Sequence, residues 1–426
     1  MAEAEAIRPS RWRDRNLLLL GILGFSAGVP LPLVAGQVLR QWFAESNLSL
    51  STIGLTALIG LAYANKFLWA PALDALRPPI TAWLGQRRGW LLLIQAALVV
   101  TIAAVGFTDP TAGAARTAVI AALVAFLSAS QDIVIDAYRI ELLGADDERQ
   151  AWGLTTYVWG YRLALLASGA GTLLVVGPLG WSGAYLFGAA LMLPGLIATL
   201  LAQEPPLVGR AGPLGWRGRL RGAVVEPFKD FLRRPNWLAI LLFIGLFKLG
   251  EALAGVMTTP FYRALGFSRE DVATVATVFG MLATFCGAMA GSWLVGRLGV
   301  RLALVITGLA QMLSNLMYVA LYHAGHSMPM LWLQVGIESG TDGLADAAFL
   351  TWLSGLTSRS FTATQYALLS SLAAVPLRTL GASSGWLAQE LGWPGFFLLT
   401  TAAALPALCI MLYLLRVLPK TDIKAG

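Results

Sequence analysis

The sequence is dominated by long, continuous apolar runs, and these constrain the fold more than any other feature. Twelve runs approach or exceed the roughly 18 residues that a helix needs to cross a bilayer. Hydrophobic residues make up 57% of the 426 positions and charged residues only 12%, against roughly 25% charged residues in soluble domains. The sequence therefore predicts an all-α polytopic membrane protein.

The apolar runs place twelve membrane spans along the chain. We number them one to twelve, at about 16–39, 51–72, 89–107, 116–142, 152–176, 183–202, 236–260, 271–297, 300–322, 329–355, 360–380 and 393–416. Only one connection is long, a basic segment at 203–235 with several prolines. This predicts an N-terminal six-helix bundle (1–202), a linker (203–235) and a C-terminal six-helix bundle (236–426).

Arginine and lysine are strongly biased toward one side of these spans. With the N-terminus in the cytoplasm, the linker and most basic loops lie on the cytoplasmic side. The basic residues that fall on the other side are Arg40, Arg116, Arg263 and Arg269. Because basic loops stay inside, we expect both termini to be cytoplasmic.

The two halves of the chain resemble each other. The segment 179–201, which contains Trp181 and Pro194, resembles the segment 391–415, which contains Trp393 and Pro406. Each residue lies 212 positions before its counterpart. Two acidic pairs also recur at four-residue spacing, in SASQDIVIDAY (128–138) and SGTDGLADA (339–347). Because six spans return the chain to its starting side, the halves share one orientation. This predicts two parallel six-helix repeats around one polar site, the pattern of the major facilitator architecture.

Charged residues inside the spans are candidates for function, because a buried charge is costly unless it faces protein or water. They are Lys66, Asp132, Asp136, Arg162, Lys248, Glu251, Glu338, Asp342, Asp346 and Arg378. Spans three, six, nine and twelve carry none in their interiors. In the major facilitator arrangement these four spans face lipid, where a charge costs about 2.5–3.5 kcal/mol, so the distribution agrees with that fold.

Depth and spacing separate the roles of these charges. Asp132 lies deeper in span four than Asp136 and has no basic partner on its own helix, which favours a functional role. Asp136 and Arg139 lie nearer the cytoplasmic end and suit a gate. Lys248 and Glu251 are three residues apart on a helix and can pair.

Two buried arginines differ in expected role. Arg162 lies near the middle of span five, where its guanidinium can grip a carboxylate through two hydrogen bonds. Arg378 lies near the periplasmic end of span eleven, and we expect it to be structural.

The loop after span two carries a second gate signal. It reads DALRPPITAWLGQRRGW (74–90), with Asp74 followed by Arg87 and Arg88. It resembles the signature loop of major facilitators but lacks a glycine before the aspartate and has a Pro-Pro insertion. We expect Asp74, Arg87 and Arg88 to latch the cytoplasmic side.

Several motifs together resemble the AmpG muropeptide permeases over nearly the whole chain. They are GFSAGVPLPL (24–33), YANKFLWAPALD (63–74), GQRRGWLL (85–92), SASQDIVIDAY (128–138), GYRLALLASG (160–169), EPFKDFLRRPNWLAILLFIGLFKLGEAL (226–253) and FTATQYALLSSLAAV (361–375). The resemblance implies proton-coupled import of anhydromuropeptides across a bacterial inner membrane for cell-wall recycling, with a role in β-lactamase induction. One departure is Ala276-Thr277, where the family has an Asn-Lys pair, so the substrate range is open.

Lys66, Asp132, Asp136, Arg162 and Lys248 lie in motifs that match the family, and the chemistry of a muropeptide suggests roles for these and other residues. Fixed cations for the substrate's carboxylates would be Lys66, Arg162 and Lys248. Amide and aromatic groups for sugar would be Gln131, Asn65, Tyr161 and Trp69. Burial favours the protonated form of a carboxyl group, so Asp132, Glu251, Asp342 and Glu338 are the candidates to carry a proton. Asp74, Arg87, Arg88, Asp136 and Arg139 form the expected cytoplasmic gate.

Other functions stay open at this point. The substrate could be another amphipathic anion such as an acyl-CoA, or the chain could be a membrane sensor. Against an enzyme, the spans hold no histidine, catalytic cysteine or metal-ligand cluster. We expect no metal and no cofactor, a proton gradient as the driving force, and a monomer in the lipid bilayer that binds a sugar-peptide and no nucleic acid.

Overall fold

The computed structural model describes residues 15–143, 147–205, 232–233, 236–355, 374–375 and 377–417. Nearly all of these are helical, and no strand occurs among them. The first-half helices are Arg15–Gly28, Pro30–Val34, Gln37–Glu45, Leu50–Leu55, Leu61–Ala64, Ala70–Ala75, Arg87–Gly106, Pro110–Leu143, Asp147–Leu166, Thr172–Ala190 and Leu193–Leu201. Short 3-10 turns lie at Thr56–Gly60, Lys66–Leu68 and Ala82–Leu84, and a π turn at Ala167–Gly171.

The second half is built the same way. Its helices are Trp237–Leu246, Leu249–Ala264, Arg269–Asp271, Gly280–Ser314, Leu316–Ala324, Met328–Gly355, Ser384–Ala403 and Leu405–Val417, with a π segment at Val272–Phe279. Across the described part of the chain, seven helical stretches are long and apolar enough to cross a membrane. Two of them hold two predicted spans each, Gly153–Leu201 and Arg269–Ala324. Most of span eleven and of the predicted linker lie outside the described residues.

The internal repeat is visible in the backbone. Gly180 (φ 66°, ψ −179°) and Gly392 (φ 64°, ψ 169°) interrupt equivalent helices, 212 residues apart. Positive φ is strained for residues with a Cβ atom, so glycine is the natural residue at both positions. The helices Leu193–Leu201 and Leu405–Val417 then begin at the same offset, each with a proline at its second residue.

The spans predicted over 51–72 and 236–260, spans two and seven, are each interrupted by a break in the helix. The helix of span two ends at Asn65 (φ −102°, ψ 9°), directly before Lys66. The helix of span seven is interrupted at Lys248 (φ −102°, ψ 15°). Irregular backbone at membrane depth is tolerated only where protein or a cavity surrounds it, so each break marks a polar site beside its lysine.

The chain divides into two compact units. Unit one comprises Met1–Val38, Lys66–Thr108 and Val119–Gly212, and unit two comprises Leu39–Asn65, Asp109–Ala118 and Pro213–Gly426. The predicted domain limits at 202 and 236 stay a prediction.

Glycines bring spans one and five into backbone contact within unit one. A Cβ atom at Gly24 would lie 2.9 Å from Tyr157 Cα, and one at Gly28 would lie 2.6 Å from the Tyr161 carbonyl oxygen. Small residues at such crossings let helices approach closely in a membrane. This contact fixes the part of span five that carries Tyr157, Tyr161 and Arg162.

Unit two has the same kind of close backbone contact at glycines, between spans eight and ten. A Cβ atom at Gly291 would lie 2.5 Å from the Leu344 carbonyl oxygen, and one at Gly287 would overlap the Gly340 carbonyl. The close approach holds the middle of span ten, where Asp342 and Asp346 lie.

Candidate functional site

The first polar site lies in unit one, where span two breaks against span four. Lys66 opens the short 3-10 turn Lys66–Leu68, and its Nζ lies 3.8 Å from Asp132 Oδ2. The lysine side chain is 35% exposed and the aspartate side chain 14%. Asp132 has no basic partner on its own helix, as expected, but span two supplies one. The pair is close enough for electrostatic attraction and too long for a strong hydrogen bond.

Trp69 forms one wall of this site. Its indole Nε1 donates to Ser130 Oγ at 3.0 Å, and its ring lies 4.8 Å from that of Phe126. Ser130 in turn donates to the Phe126 carbonyl oxygen at 2.8 Å. The tryptophan is therefore held in place one turn after Lys66, while Asn65 donates to the Leu61 carbonyl oxygen at 3.0 Å.

Two neighbouring polar groups on span four lack hydrogen bonds within the described structure. These are Asp132 Oδ1 and both amide atoms of Gln131, all buried. A buried polar atom without a partner is costly. Gln131 is fully buried, so its predicted contact with sugar requires a rearrangement around it. The other carboxylate oxygen of Asp132, Oδ2, faces Lys66.

Span five contributes an aromatic surface and a cation. The rings of Tyr157 and Tyr161 lie 6.3 Å apart, one turn from each other. Arg162 follows directly and is half-buried. The predicted residues Lys66, Trp69 and Asp132 therefore lie around one polar site, and Tyr161 and Arg162 lie on span five of the same unit.

The second polar site lies in unit two, around the break in span seven. Lys248 Nζ lies 2.8 Å from Glu251 Oε2, 2.5 Å from Asp342 Oδ1 and 2.6 Å from Asp346 Oδ1. The lysine side chain is only 15% exposed. The local pairing of Lys248 with Glu251 was predicted, and the two aspartates of span ten join it. We call these four residues the Lys248 cluster.

Gln311 ties span nine to the Lys248 cluster. Its Nε2 donates to Glu251 Oε2 at 2.6 Å and lies 3.3 Å from Asp342 Oδ1. Sequence reasoning missed this residue because span nine was treated as a lipid-facing helix without charge. The signal available in the sequence was a polar amide side chain within an otherwise apolar run.

Glu338 stands apart from the Lys248 cluster, one turn before Asp342 on span ten. The Ser339 hydroxyl approaches its Oε2 at 3.5 Å, the limit of a hydrogen bond. Nearby, the Tyr262 hydroxyl donates to Gln334 Oε1 at 2.7 Å. Glu338 therefore lies on the same helix as Asp342, outside the ion pairs described for Lys248 but within electrostatic reach of Asp342 and Lys248 and beside Tyr318.

The expected gate residues make a network with two glutamates that sequence reasoning did not single out. The Arg87 guanidinium contacts both carboxylate oxygens of Glu141, at 2.6 and 3.0 Å. Glu204 accepts hydrogen bonds from the backbone N–H groups of Arg87 and Arg88, at 2.8 and 3.0 Å. Glu204 thus satisfies free N–H groups at the start of the helix Arg87–Gly106, where a negative charge also suits the helix dipole.

Arg88, Asp136 and Arg139 make other contacts. Arg88 donates to the carbonyl oxygens of Thr199 and Leu200, at 3.1 and 2.8 Å. Asp136 and Arg139 lie 3.9 Å apart on one helix. Asp74 belongs to the helix Ala70–Ala75, and its side chain lies outside what the structure describes.

Comparison with solved structures defines the class of protein. No protein-family model matches the sequence. The fold superposes with a TM-score of 0.72 on a bacterial homologue of the human lysosomal transporter Spinster, covering 98% of this chain and 99% of that one at 17% identity. Together with the helical repeats and the charges inside the spans, this shows that the chain has the major facilitator fold.

Comparison of sequences then defines the family. The chain is 42% identical to the anhydromuropeptide permease of Escherichia coli K12 over 413 residues, which covers 96% of this chain and 82% of the relative. It is 32% identical to the putative transporter AmpG 4 of Rickettsia felis, over 95% of this chain and 97% of that relative. The chain belongs to the AmpG family of permeases. These relatives are transporters, which confirms the prediction of a transporter rather than an enzyme.

Proposed function

We propose that the protein imports sugar-peptide fragments of peptidoglycan, anhydromuropeptides, by proton-coupled alternating access. The similarity to the E. coli anhydromuropeptide permease supports the substrate class. The chemistry of unit one supports it as well, because Lys66 and Arg162 can bind carboxylates while Trp69 and Tyr161 offer flat faces to a sugar.

The observation that carries the coupling proposal is the loose Lys66–Asp132 pair. A substrate carboxylate that approaches Lys66 competes with Asp132, which already lies 3.8 Å away. Once Asp132 loses its cation in a buried environment, its neutral form is favoured and it takes up a proton. Substrate and proton then bind together, which is the requirement for symport.

The Lys248 cluster has a different place in the proposal. Its ammonium is already surrounded by three carboxylates at 2.5–2.8 Å, so it has little capacity for another anion. Neighbouring carboxylates repel one another, which favours sharing a proton. We therefore assign Lys248 to proton handling with Glu251 and Asp342, in place of the substrate contact expected from the sequence, and Glu338 remains a further candidate.

The distribution of arginine supports an orientation for this transport. With both termini in the cytoplasm of a bacterial cell and the chain in the inner membrane, Arg87 and Arg88 lie on the cytoplasmic side. The Arg87–Glu141 and Glu204 contacts then belong to the cytoplasmic gate. Import proceeds from the periplasm to this side as the gate opens.

Counterflow in proteoliposomes tests the proposal. A labelled anhydro-disaccharide-peptide should exchange across the membrane without a gradient and accumulate when the outside is made acidic. The bare disaccharide and an acyl-CoA serve as comparison substrates. Exchange of acyl-CoA alone would favour the other amphipathic anion, and binding without exchange would favour a sensor.

A further inference from the structure

A cavity of about 320 Å³ in unit two brings together two arginines that the transport proposal has not used. Arg40 and Arg378 line it together with Lys248 and Glu251, and the rest of its wall is small or apolar. All of these residues belong to unit two. From sequence, Arg40 was placed outside the membrane and Arg378 was expected to be structural.

The backbone holds both arginines in position. Arg40, in the helix Gln37–Glu45, is 9% exposed, and its Nη1 donates to the Gly255 carbonyl oxygen at 3.1 Å. Arg378 lies against Gly60, where a Cβ atom would come within 2.8 Å of the guanidinium carbon. At Gly255 a Cβ atom would meet nothing within 4 Å, so this side of span seven faces open space.

Two guanidinium groups on one cavity wall, Arg40 buried and Arg378 half-buried, favour an anion. The two like charges repel each other, and an anion between them offsets that repulsion and the hydration that the buried Arg40 has lost. Glu251 lines the same cavity, but its Oε2 already accepts from Lys248 at 2.8 Å and from Gln311 at 2.6 Å. That carboxylate is held by the Lys248 cluster.

We propose that Arg40 and Arg378 form a carboxylate subsite that takes the C-terminal end of the substrate's peptide. Planar guanidinium groups bind carboxylates through paired hydrogen bonds. The cavity is at the small end of the roughly 300–1,000 Å³ range of ligand pockets, so it suits one terminal amino-acid residue rather than a whole disaccharide-peptide. The inference rests on the proposed function and adds the part of the substrate that unit two recognises.

Binding of three matched compounds tests the subsite. They are an anhydro-disaccharide-peptide with a free C-terminal carboxylate, the same compound with a C-terminal amide, and the bare disaccharide. The unmodified protein should bind the carboxylate about tenfold more tightly than the amide, the size of one charge-assisted contact. Arg378→Gln and Arg40→Gln should each remove most of this preference and change binding of the amide less than about twofold.

A control and a conservative variant separate recognition from folding. Arg301→Gln makes the same chemical change in unit two at an arginine that donates to the Leu415 carbonyl oxygen at 3.4 Å and does not line this cavity. It should leave the preference unchanged. If either Gln variant unfolds, as judged by its Tm, Arg378→Lys tests the subsite instead. This variant keeps the positive charge but loses the planar guanidinium group that binds a carboxylate through two hydrogen bonds. It should lower the preference several-fold.

The outcomes distinguish this inference from the proposed function. A preference that survives in the folded arginine variants, or no preference in the unmodified protein, overturns the subsite and leaves the transport proposal standing. If the unmodified protein binds none of the three compounds, the proposed substrate class is wrong and the subsite falls with it.

Discussion

The lysines that interrupt spans two and seven occupy different surroundings in their two units. Lys66 is 35% exposed and meets one carboxylate at 3.8 Å. Lys248 is 15% exposed and contacts Glu251, Asp342 and Asp346 at 2.5–2.8 Å. A cation at a loose, partly open pair can exchange its partner for an incoming anion. A lysine that contacts several carboxylates closely neutralises their charge. Its first role is therefore to stabilise those carboxylates inside the protein.

The largest expected effect is on stability. Lys248→Met leaves the carboxylates of the Lys248 cluster without their cation, and breaking a buried ion pair costs about 3–5 kcal/mol. Lys66→Met should cost no more than about 1 kcal/mol, because its pair is loose and over a third exposed. Denaturant unfolding in mixed micelles compares the two free energies.

A second substitution checks the cause of that difference. Adding Asp342→Asn to Lys248→Met removes one of the stranded charges, so part of the lost stability should return. Equal losses for the two single variants would contradict the distinction between a tight and a loose site.

The next effect is on substrate affinity. Lys66→Gln should weaken binding of the anhydro-disaccharide-peptide about tenfold, since it removes a charged contact to a carboxylate. Lys66→Arg, which keeps the charge, should retain most of the affinity. The measurement is Kd in detergent, and an unchanged Kd for Lys66→Gln would remove the lysine from the substrate site.

A smaller and more selective effect is expected at span five. Arg162→Ala should weaken binding of the disaccharide-peptide several-fold and that of the bare disaccharide less than about twofold, because only the peptide offers carboxylates. Tyr161→Phe, next to it, should leave this ratio unchanged. Equal losses for both compounds would indicate that Arg162 has a packing role.

Much of the fold could be predicted from the sequence, because the apolar runs and helix spacings that indicate it are local features. Apolar runs place the spans. The repeat around Trp181 and Trp393 predicts equivalent positions in the two halves, and the backbone has similar dihedral angles at Gly180 and Gly392. The pairing of Lys248 with Glu251 follows from their spacing on a helix. The apolar runs and the Lys248–Glu251 pair involve only residues close together in the chain, and the repeat needs only a comparison of the two halves.

The features that could not be predicted from the sequence depend on contacts between distant spans. Asp342 reaches Lys248 from 94 residues away, and Gln311 reaches Glu251 from 60. Arg87 and Arg88 were predicted as gate residues from their loop alone, and their partners Glu141 and Glu204 come from distant parts of the chain. The breaks at Asn65 and Lys248 follow from such tertiary surroundings, because neither residue is itself a strong helix breaker.

The most direct test of the account is transport by Asp132→Asn beside its neighbour Asp136→Asn. Asp136 lies one turn further along the same helix, 46% exposed and 3.9 Å from Arg139, so the same substitution there tests a gate residue that carries no proton in the proposal and should alter the rate of accumulation rather than the coupling. In proteoliposomes, Asp132→Asn should still exchange the anhydro-disaccharide-peptide by counterflow but should not accumulate it when the outside is made acidic, whereas Asp136→Asn should accumulate it. Accumulation by Asp132→Asn at the level of the unmodified protein would contradict the proposal that this carboxyl group couples the proton to the substrate.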